Sequence, residues 1–136
     1  MTDIAQQLAL VFAAMALGWT MLFSFVVAPV SFKDMDVGRA DRHVRRVMKQ
    51  GHGIVALVCV LAGVAALVSG AYAAATIAVI CAVFYAMCQW ALAPRDDPRP
   101  VGATRKLKTT RIVASGLTAF IMPILIAAMV LTQMGI

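Results

Sequence analysis

Forty consecutive residues, Ile54 to Ala93, contain no Asp, Glu, Lys or Arg. A helix needs about 20 apolar residues to cross roughly 30 Å of hydrocarbon, so the run holds two crossings rather than one. Ser69-Gly70 is the small, flexible pair near its middle and marks the turn. The run therefore predicts a helical hairpin whose two ends emerge on one side of a membrane.

The rest of the 136-residue chain fits one domain built around that hairpin. Hydrophobic residues make up 62% and charged residues 13%, where a soluble globular protein carries roughly a quarter charged. The net charge of +6 does not point to nucleic acid, because of where the charges fall. All twelve Lys and Arg lie in two segments, six between Ser31 and Gln50 and six between Arg95 and Arg111. Basic segments alternating with uncharged runs set membrane topology, and a phosphate-neutralising patch would need a soluble surface to carry it. Three cysteines, Cys59, Cys81 and Cys88, all sit in apolar runs. An odd number in hydrocarbon is no disulfide framework. The first apolar run has no basic segment before it and continues uncharged from Leu8 to Val30, so it is expected to remain as a helix.

Taken in order, the expected spans are 8–30, 54–69, 72–93 and 112–136, with loops 31–53 and 94–111. Span one ends at Pro29, where a stop or kink is expected, among Phe23, Phe25 and Phe32. In the first loop Val37, Ala40, Val44 and Val47 recur at helical steps. Arg39, Arg42, Arg45, Arg46 and Lys49 occupy the other faces. Two readings are open: a surface helix contacting anionic headgroups or a partner, or a helix that merely extends span two. Asp41 and Arg45 are spaced to pair. Gly51-His52-Gly53 punctuates the start of span two. Small residues suited to close packing without water are Gly18, Gly63, Ala66, Ala74, Ala78 and Ala82. Pro94, Pro98 and Pro100 mark the second loop as extended, and Arg105, Lys106 and Lys108 lead toward span four, which Pro123 is expected to kink. Both basic loops belong in the cytoplasm, and both termini and the short turn outside. The expectation is an all-α membrane protein: a four-transmembrane-helix bundle with N- and C-termini outside and two basic cytoplasmic loops.

Gly18, Phe23, Phe25, Pro29 and Phe32, then Trp90, Pro94 and Arg95, then Arg111, Ser115 and Gly116 carry a resemblance. In these positions and in its four spans the chain resembles a domain-of-unknown-function family. That family includes transmembrane protein 205 of eukaryotes and many bacterial inner-membrane proteins. The resemblance implies a four-span fold in an inner membrane and no established chemistry. The histidine that the family places near the start of the last span has no counterpart in Ile112 to Gly116.

Candidate chemistry is sparse. All six acidic residues lie outside the spans, whereas proton-coupled transporters use ionisable groups within them. Cys59, Cys81 and Cys88 are soft ligands that suit Cu(I), with His52 as a boundary candidate, yet cysteine also packs as a small hydrophobe. His52 reads as a solvated interfacial residue. No nucleophile set, phosphate loop or metalloprotease helix occurs, so no enzymatic activity and no cofactor are expected. Three functions follow in order: an accessory or scaffold protein that packs laterally against itself or a membrane partner; a homo-oligomeric small-solute channel or transporter lined by Thr20, Ser24, Ser115 and Thr118; and a soft-metal or haem protein.

Overall fold

A computed structural model of the protein describes residues 2–91 and 104–136. It is an all-α bundle of the membrane type. Helix α1 covers Thr2–Leu22, a π turn Phe23–Val27 and helix α2 Ala28–Asp34; α3 is Val37–Ser69, α4 Tyr72–Ala91 and α5 Thr104–Met134. Three stretches, Asp3–Asp34, Gly38–Ser69 and Tyr72–Trp90, are long and apolar enough to cross a membrane, and α5 contains a shorter apolar stretch, Ala119–Met134.

The hairpin turn lies where the uncharged run places it. Gly70 takes the left-handed conformation, φ 87°, that closes α3. The Gly70 N–H donates to the Leu67 carbonyl at 3.1 Å and the Ala71 N–H to the Ala66 carbonyl at 2.9 Å. These two bonds satisfy carbonyls that the helix end would otherwise leave bare. Gly135 ends α5 the same way, at φ 71°, with bonds from Gly135 to Thr132 and from Ile136 to Leu131. The first and last helices and the hairpin turn meet at one end of the bundle. Gln6 Nε2 donates to the Thr132 carbonyl at 2.7 Å, and the Ala74 N–H donates to the Ile136 carbonyl at 3.3 Å.

Two boundaries differ from expectation. The first helix does not stop at Pro29; the chain widens into a π turn just before it, where the Ala28 N–H donates to the Phe23 carbonyl. Proline has no N–H and its ring collides with the carbonyl four residues back, so the extra residue makes room and the helix runs on to Asp34. Nor does Gly51-His52-Gly53 interrupt anything: α3 is one helix of 33 residues, about 50 Å long. The helix expected in the first loop is continuous with span two, which leaves contact of its basic face with headgroups or a partner open. The apolar face of that extension is turned into the protein, with Ala40, Val44 and Met48 buried. Helix α5 likewise begins at Thr104, within the segment expected as a loop, and passes through Pro123 without ending.

Packing follows a gradient. At the end with the turn, the buried apolar cluster is all alanine, Ala9, Ala66, Ala71, Ala74 and Ala75, with Leu131 packed against it. Small faces let helices approach closely where no water drives them together. Large apolar side chains such as Val11, Met15, Leu57 and Val83 point outward instead, as lipid-facing surfaces require. Toward the other end the core fills with Tyr85, Ile121 and Leu125, then with Phe23, Val44, Met48 and Cys88.

Candidate functional site

One level where α1, α3 and α4 meet holds two of the buried polar residues, Thr20 and His52. His52 is fully buried there. Its ring meets Phe23 at 5.1 Å between centroids, Tyr85 at 5.4 Å and Trp19 at 6.3 Å, each close to perpendicular. Such edge-to-face contacts add about 0.5–1.5 kcal/mol each beyond area burial. Neither imidazole nitrogen has a hydrogen-bond partner among the described residues, and Trp19 Nε1 and Ser24 Oγ share that condition. The reading of His52 as a solvated interfacial residue is therefore corrected. It occupies the inward edge of α3, four residues beyond Met48 and three before Val55, both buried.

The flanking glycines exist for its neighbours. A Cβ at Gly51 would lie 1.9 Å from Cζ2 of Trp19, so the indole rests directly on the backbone of α3. A Cβ at Gly53 would lie 3.0 Å from Nε2 of Gln89, and that amide donates to the Lys49 carbonyl at 2.8 Å. Three consecutive residues thus engage two different helices: Gly51 receives α1, Gly53 receives α4, and His52 lies between them. Phe23, which also stacks on Trp19 at 6.3 Å, is the first residue of the π turn.

Beside the cage, Tyr85 and Thr20 bond through their hydroxyls. Thr20 donates to the Ala16 carbonyl at 2.7 Å. A hydroxyl has one proton, so Thr20 must accept from Tyr85. The chain runs Tyr85 to Thr20 to a carbonyl and stops there. It is a tie between α4 and α1, with no second proton to pass on. Among the described residues no nucleophile is hydrogen-bonded to a base. Thr20 itself is fully buried.

The other candidates fall as follows. Cys59 and Cys81 come together in the same buried cluster beside Tyr85, while Cys88 lies with Phe23, Val44 and Met48; all three are free thiols. Among the described residues no three of His, Cys, Asp and Glu are grouped to hold a metal ion. Gly63, Ala66, Ala74, Ala78 and Ala82 are buried, as close packing requires. Gly18 is not: it faces outward with nothing within 4 Å of where a Cβ would be. Arg45 also departs from the outward set, being buried and paired with Asp41 at 2.9 Å. Arg39, Arg42, Arg46 and Lys49 are exposed. Arg105, Lys106, Lys108, Ser115 and Thr118 lie on the backbone of α5, and their side chains lie outside the described residues.

The sequence pattern missed the cage because its members come from different segments. Its one local signal was a histidine between two glycines inside a helical period. No family model, no curated protein and no solved structure matches this chain.

Proposed function

We propose that the protein is a non-enzymatic accessory or scaffold protein of a bacterial plasma (inner) membrane, packing laterally against itself or a larger membrane complex. The observation that carries this reading is the open face of α1. Ala14 and Gly18, one turn apart, are both exposed, and the space over Gly18 is empty. Small residues four apart let a second helix approach closely in lipid, and inside the bundle the same type of face is used up between α3 and α4. The dead-end hydroxyl tie and the aromatic cage support a structural use of the buried polar groups rather than a chemical one. The basic segments facing the cytoplasm, and the resemblance to the four-span family, belong to the same proposal.

The test is native mass spectrometry of the protein released gently from its own membranes, alongside Gly18→Leu. A second polypeptide in fixed ratio, or a homo-oligomer, that is lost in the variant agrees with the reading. An assembly untouched by Gly18→Leu, or a monomer throughout, overturns it. A bound metal or haem mass would replace it with a cofactor role.

A further inference from the structure

Helix α3 carries two faces without interruption from its basic half into its apolar half. The docked edge runs through Ala40, Val44, Met48, His52, Val55 and Cys59, all buried. On the opposite edge Arg39, Arg42, Arg46 and Lys49 are exposed, followed by Leu57, Val60 and Val64. Steps of three or four residues join these members through the half-buried Gly53. This edge is therefore cationic in one half and exposes apolar side chains in the other, with Gln89 of α4 packed against Gly53 between the two.

The height of each cation follows from the helix rise. Tyr72 and Trp90, at the two ends of α4, are 70% and 85% exposed. Aromatic residues of this kind gather at membrane interfaces, and 18 steps of 1.5 Å separate the two by about 27 Å, close to the hydrocarbon thickness. The same distance counted along α3 from Ser69 ends at Gly51. Lys49 then stands about 3 Å and Arg46 about 8 Å beyond that boundary, within a headgroup layer about 5–8 Å deep. Arg42 and Arg39 stand about 14 and 18 Å beyond it, above the headgroups.

Charge sharpens the assignment. None of these four makes an ion pair among the described residues. Arg42 Nε donates to its own helix, at the Gly38 carbonyl, 3.3 Å away. The Asp41–Arg45 pair is drawn into the bundle and leaves the outward edge purely cationic. We propose that Lys49 and Arg46 form a phosphate-binding step for an anionic phospholipid of the adjoining leaflet. The guanidinium of Arg46 takes phosphate oxygens in pairs, Lys49 adds a point charge, and Leu57, Val60 and Val64 run beside the acyl chains of the same lipid. A lipid fits this edge better than a soluble anion does, because beyond Gly53, where Gln89 of α4 packs, the edge continues in the exposed apolar side chains Leu57, Val60 and Val64. Arg42 and Arg39 add only a screened attraction that decays within a Debye length.

The test reconstitutes the full chain in phosphatidylcholine vesicles containing phosphatidylglycerol. It reads, by spin-labelled lipid, the preference of the protein's boundary for phosphatidylglycerol over phosphatidylcholine. A cation near a charged membrane surface contributes about fivefold to such affinity. The double variant Arg46→Gln/Lys49→Gln should lose most of the preference, and Arg39→Gln/Arg42→Gln should change it less than about twofold. Arg46→Lys/Lys49→Arg should retain it. Equal losses in the two Gln pairs would replace the site with diffuse charge, and no loss in the first pair would remove it. All four residues are exposed, so helix content and melting should match the unmodified protein in every variant.

Discussion

Gly51→Ala adds one methyl group where Trp19 of α1 rests on the backbone of α3. Its Cβ would sit 1.9 Å from Cζ2 and 2.3 Å from Cη2 of Trp19. Carbon atoms rest at about 3.5–4.0 Å, so the indole must retreat by about 1.5–2 Å. Phe23 and His52 already flank it, which restricts that retreat. Overpacking of this kind costs about 1–3 kcal/mol, and opening one aromatic contact adds about 0.5–1.5 kcal/mol. Alanine returns about 1 kcal/mol of helix propensity. The balance is a loss of about 0.5–3.5 kcal/mol. Gly18→Ala is the matched control, because empty space surrounds that position and only the propensity gain remains. Gly63→Ala lies between them, with its nearest neighbour at an ordinary 3.5 Å. Equilibrium unfolding in mixed micelles, followed by far-UV circular dichroism, should rank the three as Gly18→Ala, Gly63→Ala, Gly51→Ala in falling stability. Fluorescence of Trp19 in a Trp90→Phe background should report the displaced indole only in the last. A Gly51→Ala protein as stable as Gly18→Ala, with unshifted emission, would refute the close approach.

The same unfolding assay checks the remaining predictions. His52→Phe should match or exceed the unmodified protein, because the ring keeps its aromatic neighbours and removes two buried nitrogens without partners. His52→Ala should lose about 2–4 kcal/mol to the cavity it leaves. A double-mutant cycle on Tyr85→Phe and Thr20→Ala should give a coupling of about 0.5–1.5 kcal/mol for the hydroxyl tie, and a coupling near zero would dissolve it. Asp41→Asn should cost more than Arg42→Gln, since only the former leaves a buried charge short of its partner. Gly70→Ala should cost about 1–2 kcal/mol for forcing a side chain into the left-handed region at φ 87°.

What could be read from the residues depended on whether the signal was local. Ser69-Gly70 was legible because an uncharged run of two helix lengths needs one turn, and glycine is the residue that closes a helix left-handed. The pairing of Asp41 with Arg45 was legible for the same reason, being a matter of one helical turn. The continuity of α3 was not. Glycines on both sides of His52 read as punctuation, whereas they admit Trp19 and Gln89 from helices distant in sequence. The period that would have revealed the buried edge, Val44, Met48, His52, Val55 and Cys59, crosses from a cationic segment into an apolar one. Its middle member is polar, so neither half showed it whole. Gly18 was assigned to the packed face for a different cause. Helix α1 is apolar on every side, so its pattern fixes no rotation, and only the neighbours that α1 acquires in the bundle decide which small residues face outward. Cys59 and Cys81 meet in one cluster, but spacing alone could not tell packing from ligation.

The proposal that the chain associates laterally through α1 is tested most directly by Gly18→Cys in native membranes. The variant fills open space, and the three natural cysteines are buried, so a thiol-directed photo-cross-linker reacts at position 18 alone. Val60→Cys, on the exposed side of α3, serves as the comparison. The account predicts one discrete adduct from position 18, either with a second copy or with one membrane partner, and none from position 60. Equal, lipid-only labelling at both positions would contradict it.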